Sequence, residues 1–559
     1  MKLSQTGDVW WKSAVIYCAD VETFSDSNGD GIGDLHGMTQ RIEYLADLGV
    51  TVLWLMPFYP TAGRDDGYDI TDFFGVDPRL GTLGDFVELV RTARSRGIRV
   101  IVDFVMNHTS DQHPWFKSAR RSVDDAYRQH YVWSGRKPPS GKKEVVFPDK
   151  EDSIWELDEK TGEWFLHHFY KTQPDLNVAN PAVQEEISRT LGFWLELGVA
   201  GFRIDAVPFM FANDTYPGSE PDGFNPQRYL GDVRDFVVRR AGDAALLGEV
   251  NLPYPQQKDF FGGDDGDGLN LQFDFIGMQA VYLSLAREDA TPVATALRQR
   301  PELDITSQWA NFVRNHDELT LDKLSDTERQ EVFAAFGPDP DMQLFGRGLR
   351  RRLPTMLGGD ERRLRLVYSL MFSLPGTPVL FYGEEIGMGE NLDIEGRLSV
   401  RTPMQWDAGP NGGFSTAPKR RLTRPQPSGL WSPEHVNAQA QRQDPGSLWS
   451  FMRTIIRRYR QMPQIGWSDV EVLDHDSPSL LAHLCRCDDW RMLALHNFAA
   501  DDAMATLELG EVPEGSVLRD VLDGRDDVPL DPAGRVELRV DGHQGQWLRV
   551  VAPGEQAYA

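Results

Sequence analysis

The chain has 559 residues, too many for one compact core, so two or three domains are expected. It carries 58 Lys and Arg against 85 Asp and Glu, a net charge of −27. Such an acidic surface argues against nucleic-acid and anionic-membrane partners and suits a neutral small ligand. Three cysteines, Cys18, Cys485 and Cys487, give neither a disulfide framework nor a zinc set. The stretch MKLSQTGDVWWKSAV lacks the apolar core of a signal peptide, and no apolar run reaches about 18 residues. The sequence therefore points to a cytoplasmic protein with no membrane span, and leaves a homo-oligomer open.

In chain order, residues 14–17 read as a short strand. Next comes DSNGDGIGD, residues 26–34, where Asp26, Asn28, Asp30 and Asp34 alternate with glycines. Hard oxygens on a glycine-bent loop suit Ca²⁺ or Mg²⁺. An EF-hand is excluded, because its twelfth position, which needs a bidentate Glu, is Gly37. A solvated acidic turn is the alternative. Residues 38–48 are helix-like, 50–57 form an apolar strand, 84–97 a helix and 99–105 another strand. The alternation resumes with a helix near 183–197, a strand at 200–205, a helix near 226–241 and a strand at 244–249. Strands near 270–275 and at 309–314, a helix near 362–373 and a strand at 377–382 follow. Strands that are apolar throughout and alternate with helices indicate a parallel sheet covered on both faces. Eight of them indicate an α/β fold, a (β/α)₈ TIM barrel.

The expected division is residues 1–104 as the first part of the barrel and 105–180 as a small inserted domain after strand three. Residues 181–465 complete the barrel, with a loop segment at 387–444 lying over its mouth. Residues 466–559, where β-branched residues and turns replace helices, form a C-terminal antiparallel β-sandwich.

The chemistry centres on Gly201-Phe202-Arg203-Ile204-Asp205-Ala206-Val207. Two charges inside a buried strand require pairing. Arg203 and Asp205 are two apart, so they share a strand face, and the guanidinium should keep Asp205 ionised. A fixed carboxylate is a nucleophile in waiting; a structural ion pair is the plain alternative. In a barrel of this kind the reactive groups sit at strand C-terminal ends. Those ends also carry Asp103, His108, Glu249 and the pair His316-Asp317. Glu249 has apolar neighbours, which should raise its pKa toward that of a general acid. An ionised carboxylate facing a protonatable one is the minimum for cleaving a glycosidic bond.

Five segments in order, DFVMNH (103–108), QPDLN (173–177), GFRIDAV (201–207), GEVN (248–251) and RNHDE (314–318), resemble those of the α-amylase family, glycoside hydrolase family 13. The resemblance spans nearly the whole chain. It implies Asp205 as nucleophile, Glu249 as acid/base and Asp317 as transition-state stabiliser. It further implies His108, His316 and Arg203 around the same glucose, with Asn251 toward the substrate. Asp65-Asp66-Gly67-Tyr68-Asp69 resembles the segment whose Tyr stacks on the terminal glucose. Arg401, in VRTPMQWD, resembles the arginine that pairs with the first Asp of that segment, Asp65, and closes the pocket behind one sugar. The 26–34 loop resembles the Ca²⁺ or Mg²⁺ loop of the oligosaccharide-cleaving branch, with ligands Asp26, Asn28, Asp30, the Ile32 carbonyl and Asp34. Segments 312–326, 349–357, 374–391 and 400–407 resemble members that interconvert maltose and trehalose. Leu252-Pro253, after Asn251, departs from those members' pattern.

The sequence thus implies a retaining enzyme on small α-glucosides, using a structural cation and no organic cofactor. It is either an isomerase that re-uses the released glucose or an exo-acting α-glucosidase. A catalytically silent binding protein on the same fold is the rival class, and the three retained carboxylates speak against it.

Overall fold

The computed structural model describes residues 7–139, 141–210, 224–263 and 265–555. Eight parallel strands close into a barrel. They are β1 (Ile16–Ala19), β2 (Val52–Leu55), β3 (Arg99–Phe104), β4 (Gly201–Ile204), β5 (Ala245–Gly248), β6 (Leu271–Phe273), β7 (Gln308–Asn311) and β8 (Thr377–Phe381). Each pairs with its neighbour in sequence, and β1 pairs with β8 to seal the ring. The expected barrel is present, its first strand starting two residues later than the sequence suggested. Gly201 opens β4 at φ 151°, and a Cβ there would lie 2.1 Å from the Ala245 carbonyl oxygen of β5. Only glycine lets the two backbones approach this closely.

The covering helices include α1 (Leu83–Ser95), α2 (Pro181–Glu196), α3 (Pro226–Arg240), α4 (Phe275–Arg287), α5 (Glu361–Ser373) and α6 (Leu448–Gln461). Helix α1 shows why these sequences fold locally. Thr82 and Asp85 form a reciprocal capping box, and Phe86, Leu89, Val90 and Ala93 bury one helical stripe. The helix expected at 38–48 is divided at Arg41 into Leu35–Gln40 and Ile42–Leu48.

Between β3 and β4 the chain forms a three-stranded antiparallel sheet of Trp133–Ser134, Glu163–Leu166 and Trp155–Asp158, in that order. After β8, residues 387–444 run mostly as loops and short turns, with one six-residue helix at Ala438–Gln443. Trp406 anchors this segment. It is buried, packed edge-on against Phe24 and Tyr44 with ring centroids 5.0 Å away in each case. An anchor buried in the core is what allows so irregular a segment to hold a fixed path.

The C-terminal part is a six-stranded and a two-stranded antiparallel sheet, face to face over a leucine-rich core that includes Leu484, Leu495, Leu507 and Leu538. It docks on α5 through polar contacts as well as apolar ones. Trp547 Nε1 donates to Ser369 Oγ at 3.0 Å, and the same hydroxyl lies 3.0 Å from His496 Nε2. Among the described residues no helix is long and apolar enough to cross a membrane.

Trp547 is fully buried and belongs to the barrel's own hydrophobic cluster, so the C-terminal sheets are part of that core. Trp547→Ala should therefore destabilise the whole protein by about 3–5 kcal/mol, read as a lowered denaturant midpoint. An unchanged midpoint would mean that the sheets dock without contributing to barrel stability.

Candidate active site

One guanidinium organises the C-terminal face of the barrel. Asp103 of β3 stands in register with Arg203 of β4, and Arg203 with Leu247 of β5. Arg203 is buried in the barrel interior, its Cζ 5.4 Å from the Trp54 ring. Its Nη1 donates to Asp103 Oδ1 at 2.9 Å and to Asp205 Oδ1, and its Nη2 donates to Glu249 Oε2 at 2.7 Å. Three carboxylates from three adjacent strands thus converge on one cation. The Ala206 N–H also donates to Glu249 Oε2, at 3.2 Å. Ala206 takes φ 51°, a left-handed conformation unfavourable for alanine, at the turn that follows Asp205.

This crowding decides the ionisation. Burial pushes Asp205 up to about 6, with Asp103 and Asp317 adding to it and Arg203 opposing. Arg203 does lower Asp205 as expected, but one guanidinium divided among three carboxylates does not offset the desolvation, so the net shift is upward. Burial likewise raises Glu249 to about 7, Arg203 opposing and Asp205 and Asp317 adding. At neutral pH Asp205 is mostly an anion, while Glu249 holds its proton a large part of the time.

A second cluster lies across the site. Tyr68 stacks on His316 with ring centroids 5.6 Å apart and planes 7° from parallel. The Tyr68 hydroxyl donates to Asp103 Oδ2 at 3.0 Å and lies 2.7 Å from His316 Nε2, which is 3.1 Å from Asp317 Oδ2. Because the hydroxyl proton goes to Asp103, the Nε2 proton belongs on His316, shared between Tyr68 and Asp317. Burial lowers His316 to about 4, so the ring is neutral. Burial alone would raise Asp317, but His316, Arg397 and Arg401 around it hold it well below the usual carboxylate range.

Arg401 does not pair with Asp65 as the sequence suggested. Its Nη1 reaches Asp66 Oδ2 at 2.6 Å and its Nη2 reaches Asp317 Oδ1 at 3.0 Å. Asp65 pairs instead with Arg397, at 2.7 Å, and accepts from Gln173 Nε2 at 2.9 Å. Arg397 also donates to Asp317 at 2.6 Å, and its guanidinium lies 4.8 Å from the Phe147 ring of the inserted segment. Arg424 completes the pattern, bonding Asp66 and, at 3.2 Å, Asp20. Three arginines from residues 397–424 thus tie the barrel loops and the inserted segment into one wall of alternating charge.

A cavity of about 830 Å³ opens onto Glu249, Asp317 and Asn251, with Phe147, Phe169 and Leu252 among its apolar lining. That volume lies in the range of small-ligand sites. His108 is buried beside Phe169, with ring centroids 5.1 Å apart, and burial lowers its pKa so that it too is neutral. Asp205, Glu249, Asp317, Arg203, Tyr68, His316, Arg401 and Asp65 are therefore brought together, with His108 and Asn251 at the edges. Sequence reading missed Arg397, Asp66, Arg424 and Gln173, and assigned no role to Asp103. Gln173 lies inside the QPDLN segment, and Arg397 is one helical turn before Arg401; these were the available signals.

The 26–34 loop lies apart from this cluster. Asp26 accepts from the N–H groups of Asn28, Gly29 and Gly31 and from Ser415 Oγ at 2.5 Å, and Asp34 accepts from Ser27 and Gly37. Among the described residues no three His, Cys, Asp or Glu side chains converge as a ready metal site. The donor chemistry still suits a hard cation, since the loop adds an amide oxygen and a peptide carbonyl to its three carboxylates. It also touches the arginine-bearing segment: Asp26 N–H donates to the Phe414 carbonyl at 2.9 Å, and Thr423 N–H to the Gly31 carbonyl at 2.9 Å.

Comparison with known proteins gives the geometry its context. Residues 16–333 and 348–467 match the family model described as the catalytic domain of alpha amylase. The chain is 38% identical to "Trehalose synthase/amylase TreS" of Mycobacterium tuberculosis (strain CDC 1551 / Oshkosh), over 97% of this chain and 90% of the relative. It is 36% identical to the "Trehalose synthase" of Pimelobacter sp. (strain R48), over 97% of this chain and 96% of the relative. Among solved structures, the isomaltulose synthase SmuA from Protaminobacter rubrum superposes with a TM-score of 0.75 at 26% identity, covering 97% of this chain and 99% of that one.

Any reaction that needs Asp205 as an anion and Glu249 as a proton donor is confined from both sides. Below about pH 6 Asp205 protonates, and above about pH 7 Glu249 loses its proton. The profile of kcat/KM should be a narrow bell with limbs in those two regions, the apparent values belonging to the pair. A rate that stays level from about pH 5 to about pH 9 would contradict these assignments.

Proposed function

The chain belongs to the α-amylase family, and on that premise we propose that it is a retaining enzyme of small α-glucosides whose main reaction interconverts maltose and trehalose. The observation that carries the chemistry is the guanidinium of Arg203 held between Asp205 and Glu249. It fixes both carboxyl groups on one cation, Asp205 on Nη1 and Glu249 on Nη2, and membership of the family supports the first as nucleophile and the second as acid/base.

Asp205 attacks the anomeric carbon while Glu249 protonates the departing oxygen, leaving a glucosyl ester on Asp205. Glu249 then takes a proton from the incoming hydroxyl as the ester is displaced. Asp317, kept anionic by two arginines, holds hydroxyls of the same sugar. The neutral Nε2–H of His316, shared between Tyr68 and Asp317, helps to fix that carboxylate in place. Asp65, Arg397 and Asp317 wall off one end of the site, which supports exo action on short substrates. Soluble starch should therefore lose viscosity slowly.

The isomerase reading draws on the relatives named above. Exo-acting hydrolysis of α-1,4 or α-1,1 glucosides is the second reading. Leu252, in the cavity wall next to Asn251, supports it, because an apolar side chain gives a released sugar no hydrogen bond. Incubation with maltose, trehalose and sucrose, followed by product chromatography, separates the two. Trehalose from maltose alongside some glucose is expected; glucose alone at every time point leaves the hydrolase. Asp205→Asn should lower kcat by about 10⁴-fold or more without altering the melting temperature. Near-normal turnover in that variant would remove Asp205 as nucleophile.

A structural Ca²⁺ or Mg²⁺ in the 26–34 loop is a further part of this proposal. Asp26, Asp30 and Asp34 with Asn28 and the Ile32 carbonyl would hold it, stiffening the attachment of residues 414–423. Excess chelator should lower the melting temperature, and added Ca²⁺ should restore it. Superimposable melting curves with and without chelator would return the loop to a plain acidic turn.

A further inference from the structure

The cavity beyond Glu249 is bounded on one side by a polar network that the catalytic scheme does not use. Asn251, two residues past Glu249, donates from Nδ2 to Asp322 Oδ1 at 2.9 Å. That oxygen also accepts from Thr320 Oγ1 at 3.2 Å and from Gln279 Nε2 at 3.3 Å. The other carboxylate oxygen accepts from Lys323 Nζ at 2.7 Å. Gln279, fully buried on α4, closes the ring by accepting the Lys323 backbone N–H on its Oε1 at 2.8 Å. Thr320 lies in the short strand Leu319–Thr320, pinned antiparallel to Gly348–Leu349.

This network fixes which way the Asn251 amide faces. Its Nδ2 is committed to Asp322, which leaves Oδ1 buried and without a protein partner at the cavity wall. A buried acceptor of this kind asks for a donor from a ligand. Lys323, also lining the cavity, has two N–H donors beyond the one given to Asp322. The wall therefore offers one acceptor and one cationic donor, and a sugar hydroxyl can satisfy both. Burial would raise the Asp322 carboxyl, but Lys323 and the hydrogen bonds from Lys323 and Asn251 hold it below the usual range, so the network keeps its charge.

We propose that Asp322 is a positioning residue for the acceptor sugar. It orients the Asn251 amide and the Lys323 ammonium to retain the freed glucose, and so sets how the glucosyl-enzyme divides between sugar and water. This rests on the isomerase reading. In the first step the bond from C1 to O4 breaks, the bond from C1 to Asp205 forms, and the Glu249 proton passes to O4. The freed glucose turns over against the wall. In the second step its O1 hydroxyl attacks C1, the ester bond to Asp205 breaks, and the O1 proton returns to Glu249. If the wall lets glucose leave, water takes the place of O1 and two glucose molecules result.

The test feeds maltose together with excess ¹³C-labelled glucose and measures the ratio of trehalose formed to glucose released, with the label in trehalose. Asp322→Ala should lower that ratio about tenfold, the loss of one well-placed hydrogen bond, and should raise label incorporation. Asp322→Asn, which keeps one acceptor for the Asn251 amide, should recover part of the ratio. Lys323→Ala should shift it in the same direction as Asp322→Ala by a smaller factor. A purely structural Asp322 would lower stability and total rate together and leave the ratio alone. An unchanged ratio in folded Asp322→Ala protein overturns the proposal. If that variant does not fold, an unchanged ratio in Lys323→Ala does so. Wild-type protein that yields glucose alone overturns the isomerase reading itself, and the proposal with it.

Discussion

The site depends on a charge imbalance built into the barrel floor. Asp103, Asp205 and Glu249 face one guanidinium that is itself buried. A buried ion pair is costly to assemble and more costly to break, because removing one partner strands the others. Here three anions lean on one cation, so the guanidinium positions all three without fully neutralising any. The registers of β3, β4 and β5 put them there, and the close approach at Gly201 lets β4 and β5 meet at that spacing.

Across the site the balance is reversed in kind. Asp317, Asp65 and Asp66 meet Arg397, Arg401 and Arg424, cation for anion. One part of the site is therefore poised to exchange protons, while Asp317 and Asp66 are held in their charged state. The two halves meet at Tyr68, which stacks on His316 and gives its hydroxyl proton to Asp103. A single barrel face can thus hold one group ready to ionise and another that never loses its charge.

Much of the fold was legible in the sequence, because buried parallel strands announce themselves. VLWL and RVIVDF are apolar at nearly every position, and one charge in such a run, as in GFRI, has to be paired. The carboxylates at strand ends followed from barrel geometry. What stayed hidden depends on how distant segments meet. Whether Arg401 or Arg397 faces Asp65 is set by the path of a loop that has no periodicity to read. That path is anchored by a buried Trp406, whose burial no periodicity in its neighbours announces. The pKa of Asp205 was misjudged for a related reason. The adjacent Arg203 is visible in sequence, but the burial and the two competing carboxylates are not.

The shared guanidinium also bears on timing. In the cycle proposed above, conversion of Asp205 to a glucosyl ester removes its negative charge, and with it one of the influences that raise Glu249. Arg203 is then shared by two carboxylates instead of three, so its pull on Glu249 is opposed by one fewer anion. In that cycle the group that was protonated in order to release the leaving sugar becomes a stronger acid once the remaining glucosyl unit is bound to Asp205. It stays unprotonated until the next hydroxyl arrives. In the proposed cycle, forming the ester thus itself resets the proton balance.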